Sequence, residues 1–109
     1  MANTFKLKTK ANVGVTTVGI YTAPAATTTV VIGITMANTS GSGVNVGVGI
    51  TRAGTTEDEK LLKNAPIPQG SSLEFMAGNK IVLEATDTVT VDSDTNNSVD
   101  AALTIMEIT

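Results

Sequence analysis

The densest run of oxygen-bearing side chains is Asp92-Ser93-Asp94-Thr95-Asn96-Asn97. Its D-x-D-x-N opening has the spacing of a calcium loop, in which alternate residues aim oxygens at one cation. The pattern then breaks: Asn97 stands where that loop needs glycine, and Leu103 where it needs a bidentate acid. A polar hairpin between Val91 and Val99 accounts for the run equally well, so Asp92 and Asp94 are not assigned as metal ligands. Glu57-Asp58-Glu59 is a carboxylate run, and paired acids do acid–base chemistry when they are held across a cleft. Adjacent acids in a loop rich in Gly and Thr read instead as solvated surface. A Ser or Thr nucleophile needs an activating base, yet the chain has no histidine and no S-x-x-K or G-x-S-x-G motif. Cysteine is absent too, which removes the strongest nucleophile and the soft-metal ligand. The glycines between Val44 and Ile50 alternate inside a strand, and no G-K-[ST] follows them to make a phosphate loop. The reading is a protein that is not an enzyme and has no catalytic residues, metal or cofactor.

One charged feature remains. Lys6, Lys8 and Lys10 are the only charged side chains in the first fifty residues, and all ten acids lie in the second half. In an extended chain these lysines project to one side and Phe5 and Leu7 to the other. Such an arm could add along the edge of a neighbour's sheet, with its apolar residues inward and its lysines meeting acids. A disordered terminus is the competing reading. Three lysines are too few for the broad basic footprint of duplex recognition, so no nucleic-acid partner is predicted.

The elements that must carry these residues are strands. Val44, Val46, Val48 and Ile50 alternate with Asn45, Gly47, Gly49 and Thr51, a half-buried strand pattern. Glycine weakens a strand, so something should lie close against Gly47 and Gly49. Val30, Ile32, Ile34 and Met36 are in phase in a second run, and Asn38 to Gly43 reads as the turn of a hairpin joining the two. Further strands are predicted at Val15 to Tyr21, Lys60 to Asn64, Ser72 to Met76, Lys80 to Glu84, Thr88 to Asp92 and Val99 to Ile108. Ala77-Gly78-Asn79 reads as a tight turn, and Pro66 and Pro68 forbid a central strand around them. Thr56 to Leu62 is the one helix candidate, with Thr56 and Glu59 able to form a capping box. Val99, Ala101, Leu103 and Ile105 face inward in the last strand, leaving Met106 and Ile108 on the opposite face as an apolar subunit contact or an irregular core edge. The fold class is all-β, a single antiparallel β-sandwich of jelly-roll type, with an N-terminal arm over residues 1–14 and the sandwich over residues 15–109.

Composition points the same way. A chain of 109 residues is one domain. Aromatic residues are 3% of it, so the core must be built from Val, Ile, Leu and Ala. Charged residues are 16%, well below the roughly 25% of an average soluble domain. A surface of Thr, Ser, Asn and Gly suits a body that packs against copies of itself or a larger particle. No apolar stretch approaches the roughly 18 residues of a membrane span, and Met1-Ala2-Asn3-Thr4 does not open a Sec-type signal. No membrane partner is predicted, and synthesis and use without export are expected.

Several segments together resemble a family of small virion structural proteins of tailed bacteriophages, common in phages of aquatic bacteria. They are Tyr21 to Gly33 (YTAPAATTTVVIG), Leu62 to Leu73 (LKNAPIPQGSSL), Lys80 to Glu84 (KIVLE) and Leu103 to Thr109 (LTIMEIT). The similarity spans nearly the whole body, and Ala53 to Glu59 is its least typical part. The resemblance implies a particle component, and small virion sandwiches commonly serve as decoration or cement proteins. It therefore implies the major capsid protein and further copies of the chain, as a homotrimer, for partners. The location it implies is the outer surface of the capsid, after synthesis in the cytoplasm of the bacterial host. The contact residues expected from the sequence are Phe5, Lys6, Leu7, Lys8 and Lys10 of the arm, with Met106 and Ile108. A neck, tail or fibre component and an exterior glycan-binding module are the alternatives.

Overall fold

The computed structural model describes residues 3–75 and 80–109, the side chain of Phe75 excepted. Among these there are nine strands and no helix: β1 (Asn3–Val13), β2 (Val18–Thr22), β3 (Thr28–Asn38), β4 (Val44–Thr51), β5 (Asp58–Ile67), β6 (Ser72–Phe75), β7 (Ile81–Leu83), β8 (Thr88–Ser93) and β9 (Val99–Ile108). One sheet runs β1-β9-β3, with β6 and β7 on successive stretches of the far side of β3; the other runs β2-β8-β4-β5. All pairings are antiparallel; those of β1 with β9, β2 with β8, β3 with β6 and β7, and β4 with β5 are nested, and β3 with β9 and β4 with β8 join them into the two sheets. A ribbon doubled back between β4 and β5 and then rolled gives this order, which is the jelly roll the strand pattern predicts.

The core lies between the sheets and is aliphatic. Ile34, Met36, Leu83, Leu103 and Ile105 of the first sheet face Val46, Val48 and Val91 of the second, all fully buried. Alternation holds where predicted in β4, in β9 and at Val89 and Val91. In β3 it breaks. A register shift between Val31 and Gly33 changes the phase, so Thr29 and Val31 point inward before it and Ile34 and Met36 after it. Val30 and Ile32, expected inside, are only half-buried. One extra residue in a strand reverses every side chain beyond it.

The hairpin expected of Val30 to Met36 and Val44 to Ile50 does not form. β3 belongs to the first sheet and β4 to the second, so the Asn38 to Gly43 segment crosses between layers. The Asn38 amide holds that crossover: its Nδ2 donates to Ser42 O (2.8 Å) and Ile67 O (3.0 Å), and its Oδ1 accepts from Ser40 N (2.9 Å) and Ser40 Oγ (2.7 Å). The run from Asp92 to Asn97 likewise leads from β8 in one sheet to β9 in the other, so it is no hairpin either.

The helix candidate at Thr56 to Leu62 does not form: β5 starts at Asp58, pairs with β4 and contains the strand predicted at Lys60 to Asn64. A capping box fixes one helical turn, whereas the exposed ladder of β4 offers pairing along the whole segment. Pro66 sits within β5, which is an edge strand, where a missing N–H is tolerated. The turn expected at Ala77-Gly78-Asn79 lies outside the described residues.

Candidate interaction surface

The amino-terminal segment is a full strand of the first sheet. From Asn3 to Lys10 it pairs residue for residue with β9, and an irregularity at Ala11-Asn12 follows before Val13 meets Val99. Asn12 adopts a left-handed backbone, with φ of 58°. Side chains from Asn3 to Asn12 are exposed or half-exposed, and only Val13 is buried. β1 is therefore an edge strand whose side chains stand clear of the core.

Register assigns every side chain of β1 to a face, because directly paired residues point the same way. Phe5 pairs with Met106, Met106 with Val30, and Val30 with Val82. These four make one apolar row straight across the outer face of the first sheet. Phe5 is 68% exposed and Val82 59%, with Met106 and Val30 half-buried between them. Leu7, 64% exposed, and Ile108 extend the patch on the same face. Beyond Leu7 the face turns to small residues: Thr9, Ala102 and Thr35 stand in register.

The lysines occupy the opposite side of β1. Lys6 pairs with Ile105, Lys8 with Leu103 and Lys10 with Ala101, all inward-facing residues of β9. Lys6 bends to Glu107, with its Nζ 2.9 Å from Oε1. Among the described residues, Lys8 and Lys10 make no ion pair. The expected contact residues thus fall on two sides of one strand pair: Phe5, Leu7, Met106 and Ile108 outside, Lys6, Lys8 and Lys10 on the other.

Glu107 is the residue sequence reading missed. It continues the inward phase of Leu103 and Ile105, so its carboxylate is buried within the sandwich. Tyr21, from β2 in the opposite sheet, donates its phenol proton to Glu107 Oε2 at 2.6 Å. A phenol has one proton to give, so Thr29 of β3 must donate its own to the Tyr21 oxygen at 2.8 Å. Burial, reinforced by Glu107, pushes Tyr21 up to about 12. The Tyr21 hydroxyl and the Lys6 ammonium together hold Glu107 below the usual carboxylate range. The signal was an acid at an inward position in a strand that otherwise alternates cleanly.

Of the other sequence candidates, Asp58, Asp92 and Asp94 are engaged in structural bonds, while Glu57 and Glu59 are exposed. Asp92 accepts from Lys60 Nζ (2.7 Å) and Thr17 Oγ1 (2.9 Å), whereas Asp94 accepts from Asn45 N (3.1 Å). Of the acidic run, Asp58 lies 2.8 Å from Lys60 and takes a hydrogen bond from Thr90 Oγ1 at 2.6 Å. Burial alone would raise Asp58, but Lys60 and Thr90 outweigh it and hold it low. Lys60 thus ties Asp58 to Asp92 across the outer face of the second sheet. These two carboxylates are what lies against the glycines: a Cβ at Gly47 would stand 2.6 Å from Asp92 Oδ1, and one at Gly49 2.7 Å from Asp58 Oδ1. A further acid, Asp87, is buried between loops; it accepts from Ala53 N (2.9 Å) and Glu84 N (3.0 Å) and pairs with Arg52 Nε (3.0 Å). Those donors hold its carboxyl low against the opposing effect of burial. Among the described residues no group of three His, Cys, Asp or Glu side chains is placed to hold a metal.

No protein-family model matches the chain, and no curated protein matches its sequence. Solved structures do match its fold. A chain of the Bacillus endospore appendages, which are disulfide-linked pili, superposes with a TM-score of 0.60 at 15% identity, over 99% of this chain and 87% of that one. The acid-stable capsid of Helicobacter pylori bacteriophage KHP30 gives 0.57 at 8% identity, over 100% of this chain and 94% of that one. The T13 particle of infectious bursal disease virus gives 0.59 at 14% identity, over 96% of this chain but 30% of that much longer one. At such identities the likeness is one of fold: this jelly roll is an architecture also found in capsid and pilus subunits.

Proposed function

We propose that this chain is a structural component of a bacteriophage particle, a decoration or cement protein on the outer surface of the capsid that bridges major capsid subunits and associates with itself as a trimer. The observation that carries the reading is the outer face of the first sheet. Phe5, Met106, Val30 and Val82 form an apolar row in cross-strand register on a face with few charges, a surface suited to close packing against another body. The polar groups support a building role as well. Glu107, Asp58, Asp87 and Asp92 are each held by partners within the fold rather than gathered around a cleft. Jelly rolls recur in the capsid chains that this fold resembles, and many weak contacts repeated around a closed symmetric assembly give avidity beyond any one interface.

The likeness to a pilus subunit favours a second placement, as a neck, tail or fibre component. A glycan-binding module has less support. Sugar sites favour aromatic platforms, and of the aromatic side chains described Tyr21 is inside the core with its hydroxyl committed to Glu107, which leaves Phe5 as a single exposed ring.

The test is co-sedimentation of the purified chain with assembled capsids, at saturation and with bound copies counted. A fixed ratio to capsid subunits, abolished by Phe5→Ser with Leu7→Ser, is the expected result. Both side chains are largely exposed, so fold stability should stay within about 0.5 kcal/mol per change. Capsids that sediment without the chain would overturn the proposal.

A further inference from the structure

We infer that the free edge of β1 is a strand-addition site for an extended partner segment that carries acidic residues at alternate positions, with apolar residues between them. The inference deepens the proposed role by naming the chemistry of the capsid segment that would be engaged. An edge strand presents a row of unpaired N–H and C=O groups along its open side. β1 is eleven residues long, with β9 on one side and, among the described residues, no strand on the other. A strand added there places its side chains beside those of β1, face for face. On one face it meets Lys6, Lys8 and Lys10, and on the other Phe5 and Leu7.

Charge selects among occupants. Lys6 is already paired with Glu107, while Lys8 and Lys10 have no acid within ion-pair distance among the described residues. A second β1 is a poor partner. With both sandwiches on one side of a continuous sheet, every antiparallel register that overlaps most of the strand sets lysine against lysine, and like charges directly opposite repel. The remaining edges of the chain do not complement it either. Within β2, β5, β6 and β7 no two acids stand two residues apart. A segment of acid–apolar alternation from a different protein satisfies the backbone, both lysines and the apolar face together. The competing use of edge lysines is simply to keep an edge unpaired, and it predicts no binding at all.

The experiment titrates the intact protein with three short peptides of matched length. The first alternates Glu with Val and Thr, the second has the same composition with its Glu residues in one block, and the third replaces every Glu with Lys. The readouts are affinity and amide exchange along β1. The alternating Glu peptide should bind and slow exchange of alternate β1 amides, and the other two should not. Lys8→Glu with Lys10→Glu should weaken that peptide at least about tenfold and admit the Lys peptide instead, and binding should fall between about 0.05 and about 0.5 M salt. A thermal melt confirms that the doubly changed protein is folded. Absence of β1 protection, or indifference to peptide pattern and to charge exchange, would overturn the inference. Capsid binding unchanged in the Lys8→Glu, Lys10→Glu protein would overturn it too while leaving the capsid role standing. Peptide binding without capsid binding would keep the edge site and overturn the role.

Discussion

Tyr21 and Glu107 meet across the interior of the sandwich, the phenol of one sheet donating at 2.6 Å to the buried carboxylate of the other. The pair joins three strands of the first sheet to the second, because Thr29 bonds the same phenol and Lys6 the same carboxylate. Tyr21 is the only tyrosine, and tryptophan is absent, so its ionisation can be followed by ultraviolet absorbance without interference. The phenolate should form near pH 12 in the folded protein, not near 10.0. Since the folded value is raised, the stability it contributes is complete below the unfolded value and is lost as pH climbs towards the folded one. A titration midpoint near 10 with the fold intact would contradict the buried pairing.

Glu107 also anchors β1. Glu107→Gln keeps the shape but removes the charge that Lys6 answers. Amide exchange along Phe5 to Lys10 should accelerate, while the amides of β3 and β8 at the centre of the sheets change little. Equal exchange along β1 in both proteins would show that the backbone ladder alone holds the strand.

Acid should destabilise the fold. Glu107, Asp58 and Asp87 all have carboxyls held below their ordinary values. For a depressed acid, the contribution is present above the unfolded value and is lost as pH falls through the folded one. The thermal midpoint should be nearly level from about pH 7 to 5 and then fall below about pH 4. A midpoint that rises on acidification would contradict these assignments.

The glycines of β4 make a sharper steric prediction. In Gly49→Ala the new methyl would stand 2.7 to 2.9 Å from the Asp58 carboxyl, which Lys60, Thr90 and Thr51 hold in place. Gly47→Ala meets Asp92 in the same way. Each should cost about 1–3 kcal/mol. Gly41→Ala, with nothing within 4 Å of the added carbon, should stay within about 0.5 kcal/mol. Chemical denaturation of the three variants is the check, and equal stability for all three would remove the carboxylates from their place over the strand.

Asn38 supplies a test of the crossover between the sheets. Asn38→Ala removes a donor from Ile67 O, in a buried setting, and one of the two donors within reach of Ser42 O, the other being Ser40 Oγ at 2.8 Å. The expected loss is about 1–3 kcal/mol, read from the same denaturation curves. A neutral result would mean that the loop backbone holds the turn by itself.

These residues also mark what the sequence could and could not disclose. Alternation in Val44 to Ile50 and Val99 to Ile105 reports directly which side chains are buried, because strand geometry has a period of two. The tight contacts over Gly47 and Gly49 were legible for the same reason, since bare glycines inside a strand need a cover. Pairing was not legible. Two runs with one apolar face each fit a hairpin or two facing layers equally well, and β3 and β4 take the second arrangement. The bulge in β3 was hidden too, because Val30, Val31 and Ile32 are all apolar and the phase can change among them without trace. The β1 residues Phe5, Leu7, Lys6, Lys8 and Lys10 were separable into two faces by parity alone. Their union with Met106, Val30 and Val82 depends on a register between strands far apart in the chain.

The measurement that bears most directly on a structural role is the number of copies of this chain in the purified phage particle, by quantitative mass spectrometry against the major capsid protein. A cement role predicts a fixed ratio with a copy number approaching that of the shell subunits. A handful of copies per particle, or none, would contradict it.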